Sequence, residues 1–80
     1  MKDYDGRFEI NGQEYFYKAK DDSGSARIIR LKHEEHHYRI VEIINKETQM
    51  SDVIMINTGD SFTLFPDVIK NQYKNFLDSK

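Results

Sequence analysis

The chain has 80 residues, one proline, no cysteine, and 12 basic against 14 acidic side chains, a formal net charge of −2. That length holds a single domain over residues 1–80, and the absence of cysteine excludes disulfides, iron–sulfur clusters, thiol nucleophiles and cysteine-based zinc fingers. The apolar share of 38% supplies one small core, and no run approaches the ~18 consecutive apolar residues of a membrane-crossing helix.

The first six residues, Met1 to Gly6, are polar and acidic rather than a basic stretch leading into an apolar one, so no secretory signal is expected. A cytoplasmic protein follows as the expectation. Nine isoleucines against three leucines, with five Phe and five Tyr, favour pleated and half-buried surfaces over helices.

The first predicted element is a hairpin. Asn11-Gly12 sits between alternating segments, Phe8 to Ile10 and Gln13 to Tyr17, and favours a two-residue type I′ turn. Such a turn pairs Ile10 with Gln13 and Phe8 with Tyr15. Phe8, Ile10, Tyr15, Tyr17 and Ala19 then share a core face. Arg7, Glu9, Glu14, Phe16, Lys18 and Lys20 fall on the reverse face. Phe16 is the odd member there: either that face is partly covered, or the ring is exposed to a partner.

Asp21-Asp22-Ser23-Gly24-Ser25 reads as a turn. Ala26–Lys32 and Tyr38–Ile44 follow as two strands around the polar hexad Lys32-His33-Glu34-Glu35-His36-His37. A continuous helix from Ser25 to Glu47 competes with this reading, but its two middle turns would carry no apolar residue. Asn45 to Gln49 is the next connection. Asp52 to Ile56 is apolar on both faces, the pattern of a central strand. Asn57 to Asp60 reads as a turn, and Ser61 to Phe65 as a last strand. Pro66 then opens a helix to about Ser79, with Asp67 in its first turn and an apolar stripe of Val68, Ile69, Tyr73, Phe76 and Leu77. The segment Thr58 to Ile69 resembles the closing strands of small SH3- or Sm-like barrels, a resemblance that implies a barrel end and no activity. The expected fold is α+β: a mainly antiparallel sheet or small open barrel of five to six strands with one C-terminal amphipathic helix.

Three sets of residues are candidates for function. His33-Glu34-Glu35-His36-His37 matches H-E-x-x-H, in which two histidines one helical turn apart bind zinc and the glutamate activates a water. His33 and His37 are the metal candidates, but the motif lies in the least helix-like part of its segment, no downstream histidine offers a third ligand, and nothing selects among Glu42, Glu47 and Asp52 for that place. Solvated residues at a hairpin tip are the simpler reading, and no cofactor is expected. Secondly, Tyr15 to Arg39 carries a net +2 against −4 elsewhere, with Lys18, Lys20, Arg27, Arg30, Lys32 and Arg39 close to aromatics, as in small sheets that bind single-stranded nucleic acid. The sequence pI of about 5.9 opposes that reading. Thirdly, Phe16 and the arginines on an outer sheet face suit a protein partner. Without a nucleophile elbow, phosphate loop or dinucleotide fingerprint, the expected role is a non-catalytic interaction module, a regulator or inhibitor. Its candidate contact residues are Phe16, Lys18, Arg27, Arg30, Lys32 and Arg39.

Overall fold

The computed structural model describes residues 3–21 and 26–80. Five strands and one helix follow in chain order: β1 (Gly6–Ile10), β2 (Gln13–Ala19), β3 (Arg27–Leu31), β4 (Glu34–Asn45), β5 (Ser51–Gly59) and α1 (Pro66–Asp78). All strand pairings are antiparallel, and the sheet stays open. The α+β expectation therefore holds. The expected turn over Asp21–Ser25 lies mostly outside the described residues, as do Met1 and Lys2 of the N-terminal segment.

The first hairpin forms as its sequence dictates. Asn11 and Gly12 take φ of 49° and 82°, both positive as a type I′ turn requires, and Phe8 pairs with Tyr15 and Ile10 with Gln13. This fixes the register, so Phe8, Ile10, Tyr15 and Tyr17 are all buried.

The twelve-residue strand β4 is the spine of the sheet. Its C-terminal half pairs with β2, its N-terminal half with β3, and β5 runs along it from His37 to Ile44. Because β5 overlaps both ranges, β2 and β3 must lie end to end on the opposite edge of β4. Asp52–Ile56 was expected to be central; it belongs instead to the edge strand β5. Its two apolar faces have different fates, with Ile56 buried in the core and Val53 and Met55 exposed.

Two further expectations change. The polar hexad is not a loop, because only Lys32 and His33 turn the chain, while Glu34–His37 already belong to β4. Cross-strand pairs hold this half of β4 in place: Arg30 reaches Glu35 at 2.9 Å and Ile28 stands opposite His37. The competing helix over 25–47 is absent as well. Ser61–Phe65, expected as a strand, pairs with nothing, and the barrel-like ending is not formed. Its alternation serves a different purpose: Phe62 packs edge-on against the His37 ring, Leu64 joins the core, and Phe65 enters the helix with extended backbone.

Helix α1 begins at Pro66 with Asp67 in its first turn, as expected. Ile69 and Tyr73 are buried, and Val68, Phe76 and Leu77 pack beside them. Tyr73 meets Phe8 and Tyr15 edge-on, with centroids 6.1 and 5.2 Å apart, and its hydroxyl donates to Asp52 Oδ2 at 2.7 Å. The helix touches β1 and β5, the two ends of the row β1-β2-β4-β5, so the sheet curls around it. The helix thereby covers one sheet face beside β1 and β5, and among the described residues no helix lies on the reverse face.

Candidate functional site

Strand alternation assigns each candidate to a face. In the β2–β4 pair, Phe16 stands opposite Ile44 and Lys18 opposite Glu42; in the β4–β5 pair, Glu42 meets Val53 and Ile40 meets Met55. Arg27 stands opposite Tyr38. These residues share the outer face, away from α1. Ile40, Val53 and Met55 are 41%, 58% and 47% exposed, which makes a run of apolar side chains across the two strands. Isolated exposed apolar residues are ordinary, but a contiguous group on an uncovered face marks an interaction surface.

Phe16 is half-buried rather than fully presented. Tyr4 folds back over it, the rings stacked 4.7 Å apart at 12°, and Ile44 beside it is buried. Asp5 sets this up. Its backbone N–H donates to Tyr17 O at 2.8 Å, and its carboxylate accepts the Ala19 N–H at 2.7 Å. Tyr4, Gly6, Arg7 and Phe16 line a recess of about 350 Å³ at this corner. Neither the Tyr4 stack nor the Ile40, Val53 and Met55 run was anticipated. The available signal was the double apolar alternation of β4, with Ile40 and Ile44 on one face and Val41 and Ile43 on the other.

The remaining candidates lie elsewhere. Arg30 and Arg39 alternate onto the helix side of the sheet, and Lys32 occupies the β3–β4 turn with a left-handed φ of 62°. The Arg39 guanidinium is taken up within the fold. It donates to both carboxylate oxygens of Asp21, at 2.8 and 3.1 Å, and to Phe62 O at 2.8 Å. The Asp21 side chain is 2% exposed, and the Arg39 hydrogen bonds hold its carboxyl below the usual carboxylate range. Arg39 thus anchors the Phe62 segment to β4, and the six candidates do not converge on one patch. Phe16, Lys18 and Arg27 share the outer face; Arg30, Lys32 and Arg39 do not.

Part of the basic group is paired with acidic residues where it stands. Lys20 lies 3.8 Å from Glu42, Arg30 2.9 Å from Glu35, and Arg39 2.8 Å from Asp21. Such pairing offsets three of the charges that a phosphate backbone would use, and Lys18, Arg27 and Lys32 stand apart from these pairs.

The histidine motif is extended. His33 lies in the turn and His36 and His37 in β4, on opposite faces of the sheet. Four extended residues span about 13 Å, so the one-turn spacing of H-E-x-x-H is not formed. His37 is buried, its Nδ1–H donating to Gly59 O at 2.7 Å and its Nε2 standing 3.7 Å from Glu35. Among the described residues no three His, Asp or Glu side chains converge as metal ligands.

No helix among the described residues is long and apolar enough to cross a membrane. No protein-family model matches the chain, and neither a curated protein nor a solved structure compared with it does.

Proposed function

We propose that the protein is a small, non-catalytic, cytoplasmic interaction module that regulates or inhibits a protein partner by occupying it with its outer sheet face. The observation that supports this reading is the uncovered run Ile40, Val53 and Met55, with Phe16, Lys18 and Arg27 on the same side of the sheet. An apolar centre with aromatic and basic residues beside it has the composition of interface cores and hot spots. The recess beside Phe16, about 350 Å³ and lined by Tyr4, Gly6, Arg7 and Phe16, brings together no acid, base and nucleophile, which favours action by surface over action by cavity.

The test is affinity capture from cells that carry the protein, comparing the native chain with Ile40→Lys and Arg27→Glu. Both positions are exposed on the outer face, so thermal melting should stay close to wild type. Loss of a specific captured protein with both variants is expected. Capture unchanged by either substitution would remove the outer face from the interaction.

A further inference from the structure

Among the described residues the sheet has three free edges, and they are not equally guarded. In two-residue hairpins the residues flanking the turn form a hydrogen-bonded pair, so alternate residues beyond them point away from the partner strand. On β1 the outward residues are Arg7 and Glu9; on β3 they are Ile28 and Arg30. Charged side chains on edge strands discourage further pairing. On β5 the parity follows from two observations. Asn45 N–H donates to Met50 O, and Asn57 N–H and O are both bonded by the Gln72 side chain, at 2.9 and 2.6 Å. Residues 50, 52, 54 and 56 therefore face β4, while Ser51, Val53, Met55 and Asn57 point outward.

This edge is uncharged at every outward position, and only its Asn57 end is closed. Gln72 there imitates a strand residue, accepting from one backbone group and donating to the other. The open part, Ser51 to Met55, is symmetric about Val53. Beside it runs an open groove of about 510 Å³, bounded across from β5 by Gln72, Asn75, Phe76 and Ser79 at helical spacing.

We infer that β5 is a self-association edge: two copies of this chain pair their β5 strands antiparallel about a two-fold axis through Val53. The register places Val53 against Val53 of the other copy and Ser51 against Met55, each outward residue meeting an outward residue, for about six backbone hydrogen bonds. A second copy is favoured as the occupant because antiparallel pairing about Val53 sets every open N–H and C=O of one edge against an open group of the other with no charged outward residue on either side, as an isologous interface requires. Charge agrees. Asp52, beside the seam, is matched within its own copy by Lys80 at 3.7 Å and by the Tyr73 hydroxyl, so no uncompensated like charges meet. The Val53 side chains, 58% exposed in one copy, bury against each other. On the helix side, the Asn75, Phe76 and Ser79 stripes of both copies line the seam. The result is one continuous sheet that joins two outer faces.

The experiment is analytical ultracentrifugation of the full chain across a wide concentration range, with Val53→Pro and Val53→Lys as variants. Proline at position 53 removes an outward N–H that β4 does not use, and lysine sets two like charges at the dyad. Circular dichroism confirms that each variant is folded. Expected are a concentration-dependent dimer for the native chain and at least a tenfold weaker association for both variants, together with slowed amide exchange at Val53 and Met55 as concentration rises. A native chain that stays monomeric to millimolar concentration overturns the inference. So does a dimer indifferent to both variants, or an edge protected only when a different protein is added. Outer-face capture reads Ile40 on β4 and Arg27 on β3, whose backbone groups take no part in the β5 pairing, so either idea can fail alone.

Discussion

Replacing Gly6 by alanine would drive a methyl group into the ring of Tyr17. The two residues are cross-strand partners, and a Cβ at Gly6 would stand 2.6 Å from Tyr17 Cε2 with Cζ and Oη nearer still. Tyr17 cannot swing aside cheaply, because it is buried and packed against Phe8 with ring centroids 6.3 Å apart. Overpacking of this kind costs about 1–3 kcal/mol, while alanine recovers about 0.4–1 kcal/mol by restricting the unfolded chain. The expected net loss is about 1–2 kcal/mol, or a melting temperature lower by about 5–15 °C for a domain of this size. Thermal and urea denaturation of Gly6→Ala measure it, and the same substitution in a Tyr17→Leu background isolates the clash. Removing the ring should abolish most of the penalty. A Gly6→Ala protein as stable as wild type, or an equal loss in both backgrounds, would refute the reasoning.

Two pH dependences follow from the buried polar pairs. Asp21 has its carboxyl pKa lowered in the folded state by Arg39, so its contribution is fully present above the ordinary carboxylate pKa and is lost as pH falls below about 4. Asp21→Asn should cost about 2 kcal/mol at neutral pH and flatten the acid limb of the stability profile, as followed by denaturant midpoints from pH 7 to 2. An unchanged acid limb would show that the ion pair contributes nothing. Tyr73 behaves in the opposite sense: burial first, and then its hydrogen bond to Asp52, raise its hydroxyl pKa well above the ordinary tyrosine value. The neutral phenol therefore stabilises the fold up to about pH 10, and this contribution fades as pH rises further. Tyr73→Phe should melt less steeply with pH between about 10 and 12, and an identical alkaline profile would argue against the assignment.

The parts of the fold that were legible in the sequence are those whose cause is local. Asn11-Gly12 sets both the turn and the register of β1 and β2, and Pro66 with the stripe Val68, Ile69, Tyr73, Phe76 sets α1. The polar start of β4 was not legible, because Glu34 to His37 are held by cross-strand partners on β3 rather than by an apolar period. Ser61–Phe65 misled in the opposite way. Its alternation is real, but it reflects Phe62 packing on His37 and Leu64 entering the core, with no neighbouring strand.

At the candidate site, the outward placement of Phe16 and Lys18 followed directly from the hairpin register. The stacking of Tyr4 on Phe16 did not, since a residue ahead of the first strand carries no periodic signal and is positioned by the hydrogen bonds of Asp5. The sequence leaves the face of Arg39 open, because that face depends on the register of β4. That register places it on the helix side, where Asp21 and Phe62 take up its guanidinium. The edge position of β5 was hidden for a related reason: a strand apolar on both sides reads as central unless one apolar side is left open.

Action through the outer sheet face is tested by mass-spectrometric lysine labelling of the protein, alone and in complex with a captured partner. Lys18 and Lys20 lie on that face, and Lys74 lies exposed on the far side of α1. Protection of Lys18 and Lys20 with Lys74 unchanged is the expected result. Protection of Lys74 with Lys18 and Lys20 still fully reactive would place the contact on the helix layer and contradict the proposed role of the outer face.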